Sequence, residues 1–447
     1  MRATLQAVEA PSLPHDPAAG AARALVASVL SSLRRRDQRH KGELYVHGLL
    51  HAPGRKTMRN LAASTDERSA EQSLHHFISC STWDWSPLRA ELAARVDRLL
   101  APKAWVVRPL VIPKTGRHSV GVGRRFVPQL GQVVNSQHGY GLWLASGAAA
   151  APVNWRLSLS GDWLEDAEMR RRAAIPDSAD AGSAEGLALD MALETAGWGI
   201  TRLPVVTDAR EEAVPSMVGA FSRAGLPFLL RIGGGTGLLA PALSGGGSRS
   251  VAASAGRLAE LARSQGRPVE WFEPAGTGLP RTSLVSLLPV RLPGPAAPGP
   301  RRAFGGTPPA GAPLTLVGVW SPNSREASEL WLTNLTGASR STLLGLGRLI
   351  GRADADFTDT SLPVGALDFE GRSYHGWHRH VTLVSLAHAV RLLGPGTRRG
   401  LGAVTPVPLT GGRRARGRGR RAPVAGAGRA GAPASVPAAA SPGRAAG

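Results

Sequence analysis

The chain has 447 residues, of which 43% are hydrophobic, enough for a sizeable core and too apolar for wholesale disorder. Its 53 basic and 32 acidic residues leave a net charge of +21, which points to a polyanionic partner, nucleic acid before membrane surface. The single cysteine, Cys80, excludes an internal disulfide, a stapled secreted scaffold and a cysteine-built zinc finger.

In chain order, residues 1–22 are Ala- and Pro-rich and are expected to be disordered. Glu9 and Asp16 stand where a signal peptide would be apolar, so a soluble cytoplasmic protein is the expectation. Residues 23–102 read as helical and are assigned to DNA binding. The clearest segment is SPLRAELAARVDRLL, with Ser86 as cap, Pro87 in the first turn, and Leu88, Leu92, Val96 and Leu99 as one apolar stripe.

From Trp105 the period changes. WVVRPLVI, SVGVGRRFV, GYGLWLAS and VNWRLSL are short apolar runs between turn signals and read as hairpin-connected strands. The uncharged stretch from Phe126 to Trp155 is long enough to span a bilayer. Its Gln, Asn, His and Pro residues make it buried strands instead. A helix near 187–198, the strand LPVVTD, a helix near 211–224 and the strand PFLLRI follow. A meander followed by alternating helices and strands predicts an α/β fold with a mixed sheet over residues 103–232.

Residues 233–338 read as an insertion with Gly/Pro-rich joints, one helical segment (SAGRLAELARSQ) and the strands LTLVGVW and ELWLTN. Helices near 339–358 and 380–393 complete the core within residues 339–395. The tail from 411 to 447 is rich in Arg, Gly and Ala, has no acid and cannot bury a core. It is expected to be disordered and able to contact phosphates.

Several signatures fail. GGGTG at 233–237 lacks the spacing of a dinucleotide loop, Lys114-Thr115 has no phosphate loop before it, and His75-His76 and His378-Arg379-His380 lack a third metal ligand nearby. Asp208 is different. It closes the apolar run Leu203–Val206, so it lies at the carboxyl end of a strand, the edge where open α/β sheets build sites. A carboxylate there can hold Mg²⁺ or cap the following residues.

The runs PKTGRHSVGVGRRFVPQLGQVVNSQHGYGLWLA, LPVVTDA, GLPFLLRI, ELWLTNL and DFEGRSYHGWHRHVTLVSLAHA, with the upstream EQSLHHFISCSTWDWSPLR, resemble DDE-type insertion-sequence transposases, in particular the insertion-sequence-701 group. The resemblance is scattered over residues 40–392. It implies a ribonuclease-H-like fold and DNA cutting and joining at element ends, with three acids holding two Mg²⁺ ions. Asp208 matches the second acid. The first acid position carries Arg108, followed by Pro109. The third carries Asp354 in place of Glu, with Ser361 where a lysine is usual.

The resemblance also makes Lys114, Arg117, Arg124, Arg125, Arg372, His378, Arg379 and His380 candidates for DNA phosphate contacts. The expected partner is DNA, with no membrane, and a homo-oligomer stays open. An arginine among metal-binding acids repels the ions, so impaired catalysis is expected. The alternative is a catalytically dead DNA-binding protein, either a repurposed regulator or a decaying relic. An RNA-binding role for the Arg-rich tail is weaker, because the tail has no aromatics to stack bases.

Overall fold

The computed structural model describes residues 17–65, 67, 70–127, 131–241, 250–273, 279–293 and 312–394. The basic tail expected from residue 411 lies outside them, as do the first 16 residues. The described residues all fall in one compact unit.

The chain opens with five helices: α1 (Pro17–Leu30), α2 (Arg36–His51), α3 (Met58–Ala63), α4 (Ala70–Ser79) and α5 (Ser86–Leu100). Helix α1 begins inside the stretch expected to be disordered to residue 22, because the Ala-rich PAAGAARALV is a strong helix former. In α5 the stripe is Leu88, Leu92, Val96 and Leu100 rather than Leu99, with Arg89 buried beside it. Ser86 is the first helical residue, and the Asp84 carboxylate accepts its N–H at 2.9 Å.

The strands β1 (Ala104–Pro113), β2 (Val122–Val127), β3 (Gln132–Ala145) and β4 (Ala150–Ser158) form the expected meander. β3 lies antiparallel to β1 on one edge. Its other edge has two partners in succession: β2 on residues 132–137 and β4 on residues 138–145. After α6 (Gly161–Glu165), α7 (Ala167–Ala173) and α8 (Ala184–Ala196), β5 (Val205–Asp208) pairs parallel with β1. After α9 (Val214–Arg223), β6 (Phe228–Ile232) pairs parallel with β5. These two strands are short, apolar runs covered on both faces, as parallel strands require.

A small hairpin, β7 (Gly237–Pro241) with β8 (Ser250–Ser254), and α10 (Ala255–Ala262) lead into β9 (Arg267–Phe272), β10 (Pro280–Val290), β11 (Leu314–Trp320) and β12 (Glu329–Thr333). The last four extend the main sheet rather than forming a separate body. The order is β2-β3-β1-β5-β6-β12-β11-β10-β9, with β4 also on β3. The sequence reading had no strands at β9 and β10; β9 is an exposed edge with weak alternation and a proline. The helices α11 (Arg340–Asp356) and α12 (Tyr374–Leu392) close the fold.

Asn154 on β4 donates to the Met191 carbonyl of α8, whereas the next residue, Trp155, donates to Ser385 of α12, and Arg108, level with Trp155 across β3, reaches α11. Successive strand residues point to opposite faces, so α8 covers one side of the sheet and α11 and α12 the other. A mixed sheet with helices on both faces, its central strands ordered β4-β3-β1-β5-β6, is the ribonuclease-H-like architecture. No helix among the described residues is long and apolar enough to cross a membrane.

Candidate functional site

β5 and β6 end within a residue of each other beside β1, which runs on to Pro113 along β3. Val107 on β1 is in register with Thr207 on β5, so Arg108 and Asp208 follow at the same level, and Asp208 is in register with Arg231 on β6. The carboxyl edge of the sheet therefore presents cation, anion, cation. Helix α11, whose Ser339 hydroxyl caps its N-terminus, crosses this edge and delivers Asp354.

Arg108 Nε donates to Asp354 Oδ1 at 2.6 Å, and its guanidinium carbon lies 3.9 Å from the centre of the Phe357 ring. Phe357 opens a π-helical turn, Phe357–Ser361, directly after α11; this widened turn sets the ring beneath the guanidinium. Asp208 is held by a second arginine. Arg210 Nε donates to Oδ1 at 2.9 Å, its terminal nitrogen to Oδ2 at 2.7 Å, and its backbone N–H to Oδ1 at 3.2 Å. Arg231 adds a cation at 3.8 Å. Asp208 does not cap a helix, since α9 starts only at Val214.

These groups line one open cleft of about 800 Å³ with Glu211, Glu212, His138 and Tyr140. Burial, then Glu185 and Glu211, pushes the Glu212 carboxyl up. Burial and Arg125 push His138 down to about 4, so it is neutral at pH 7. Burial raises the Tyr140 phenol to about 12.

The DDE-type enzymes that the sequence resembles cut phosphodiesters with divalent ions gathered by converging acids. The residues present here do not fit that group. Among the described residues no three His, Cys, Asp or Glu side chains converge. The two acids that the resemblance aligns with a metal site are each paired with an arginine of this chain. A divalent ion about 4 Å from an unscreened guanidinium is repelled by about 8 kcal/mol at an effective dielectric of about 20, a cost that a site lined by carboxylates alone does not carry.

The other candidates divide by burial. Arg117, Arg124 and Arg372 are exposed. Lys114 is turned inward onto the Phe369 carbonyl, and Arg125 is half-buried with a hydrogen bond to Ser158 Oγ at 3.0 Å. His378, Arg379 and His380 are not available to DNA, which corrects the expectation for all three: they are 1%, 3% and 1% exposed. Helix α12 runs through the interior and is buried on nearly every side. His378 receives the fully buried Arg89 at 3.1 Å. Arg379 satisfies the carbonyls of Trp83 and Ile78, and His380 lies between the Tyr45 hydroxyl and the Gly365 carbonyl. Ser361 is buried against His388 at 2.8 Å.

Sequence reasoning missed Arg210, Arg231 and Phe357. Arg210 carries a local signal, since an Asp at a strand end commonly accepts from the backbone two residues on and draws the side chain there with it. Arg231 and Phe357 are set by strand register and helix placement, and no local signal marks them.

A family model described as DDE superfamily endonuclease matches residues 28–277, more than half of the chain. The match takes in Arg108 and Asp208 and ends before Asp354. Among curated proteins no significant match to the chain is found. The architecture and the matched stretch agree, and the chain belongs to the DDE superfamily of endonucleases.

Proposed function

We propose that this chain is a DNA-binding protein of transposase descent, akin to the insertion-sequence-701 group, in which two-metal phosphodiester cleavage is impaired. The single observation that carries the reading is the ion pair from Arg108 to Asp354 at 2.6 Å. A cation stands at the position of the first acid and consumes the third. Arg210 does the same to Asp208 at 2.7 Å. The cleft keeps its shape while its acids are spent on internal pairs, so it retains a surface for DNA without a seat for Mg²⁺.

Binding rests on the charge balance and on the exposed Arg117, Arg124 and Arg372. Phosphate contacts of this kind carry no sequence information and make affinity fall steeply with salt. The test is a gel-shift titration of the full chain on duplex DNA over a range of salt concentrations. The expected result is a shift whose log affinity falls linearly with log salt, its slope reduced by about 1 for each of Arg117→Gln and Arg124→Gln. A chain that fails to shift DNA at low salt contradicts the reading.

A further inference from the structure

The proposed DNA-binding role leaves open how the protein grips DNA, and the hairpin of β2 and β3 bears on this. Phe126 and Val133 are directly opposite across the hairpin and are 60% and 53% exposed. The next pair on the same face is Arg124 with Asn135. Asn135 spends its amide on the Lys114 and Gly116 carbonyls at 2.6 and 3.1 Å, which ties down the loop that carries Arg117. Phe126 also lines the mouth of the cleft that holds Arg108 and Asp208.

An isolated exposed apolar residue needs no explanation. This one is part of a cross-strand pair on an edge strand whose own meander carries charges of one sign, although the cleft behind it also holds Glu211 and Glu212. No acidic residue lies between Asp97 and Asp162, so every charge that the sequence places on this meander is positive. A second copy of the same face would bring like charges together. A phosphate backbone complements them, and an aromatic between phosphate-binding cations suits a base.

Resting on the DNA-binding reading, we propose that Phe126, backed by Val133, is a wedge that stacks on an opened base step at the mouth of the cleft, with Arg117 and Arg124 holding the flanking phosphates. The edge position of β2 lets the hairpin enter a groove, and the pairing with β3 fixes the backbone that carries the ring. Pyrimidine–purine steps open most readily and are the favoured place for the wedge.

The test uses the full chain and short duplexes carrying 2-aminopurine at TA steps, whose fluorescence rises when the base unstacks. Wild type at saturation is expected to raise the signal. Phe126→Ala is expected to abolish the rise and weaken binding by about 5-fold or more. Phe126→Trp is expected to keep both, and Arg124→Gln to weaken binding while keeping the rise once saturated. Saturation without a rise in wild type, or an undiminished rise with Phe126→Ala, overturns the wedge and leaves DNA binding intact. A change in the sedimentation of the free protein on Phe126→Ala assigns the pair to self-association and also overturns it. Failure of wild type to bind at all overturns the wedge together with the reading beneath it.

Discussion

Arg108 and Asp354 are 246 residues apart in the chain and 2.6 Å apart in space. The contact joins the central strand of the sheet to the helix that crosses its carboxyl edge. The guanidinium, stacked on Phe357, stands where the resemblance puts the first metal-binding acid, and it pairs with the acid that α11 brings.

Removing that cation frees Asp354, and Arg108→Asp also returns a carboxylate to β1. Mn²⁺ is then expected to raise the melting temperature of Arg108→Asp and leave wild type unmoved, because a ligand that binds only the folded state stabilises it by about 2.7 kcal/mol at 100 times its Kd. Differential scanning calorimetry with and without Mn²⁺ checks this. The ion pair itself is half-exposed at Asp354, so without metal Arg108→Ala is expected to change stability by no more than about 1 kcal/mol. An equal Mn²⁺ shift in wild type contradicts the assignment.

Arg89 is fully buried and donates to Thr382 Oγ1, Asn154 Oδ1, the Trp155 carbonyl, and Nδ1 and the carbonyl of His378. It ties α5 to β4 and α12. Burial pushes its guanidinium down to about 9, so it remains charged at pH 7. Arg89→Leu strands several buried acceptors and is expected to cost about 3–5 kcal/mol in denaturant unfolding. A loss under about 1 kcal/mol contradicts this role.

Gly141 lies opposite Arg108 in the β1–β3 ladder. A Cβ there would come within 2.7 Å of the Trp155 ring and 3.1 Å of Trp143. Both indoles are buried, and Trp143 meets the Phe357 ring edge-on. Gly141→Ala is expected to cost about 1–3 kcal/mol by overpacking, measured by urea unfolding. A neutral effect would mean that the tryptophans shift freely.

Burial holds His380 at about 4 and His388 at about 3, each neutral in the folded protein. Both values lie below the unfolded value near 6.5, so unfolding takes up protons at acid pH. The stability they contribute is complete above about pH 6.5 and is lost as pH falls toward 4 and then 3. The slope is up to about 1.4 kcal/mol per pH unit for each histidine. Melting temperature is expected to drop between pH 6.5 and 4.5; a flat profile contradicts the neutral, buried assignment.

The same histidines mark where the sequence was legible and where it was not. The meander, β5 and β6 were readable because short apolar runs between turn residues have few alternatives, and Asp208 was placed correctly at the end of β5. The His378-Arg379-His380 run looked like surface chemistry because its partners, Tyr45, Arg89, Trp83 and Ile78, lie some 290–335 residues away. Helix α12 also starts at Tyr374, before the expected 380, since a helix buried all round has no polar stripe to mark its length. The sequence places Arg108 at the first acid position only through the resemblance. That it pairs with Asp354 and stacks on Phe357 follows only from the crossing of α11 over β1.

The decisive measurement is nicking of supercoiled DNA by the purified chain in Mn²⁺, with Asp208→Ala beside it and a gel shift on the same samples. The expected result is DNA shifted by both proteins and nicked by neither. Mn²⁺-dependent nicking by wild type that disappears in Asp208→Ala would mean that the arginines yield to metal and that the centre is active.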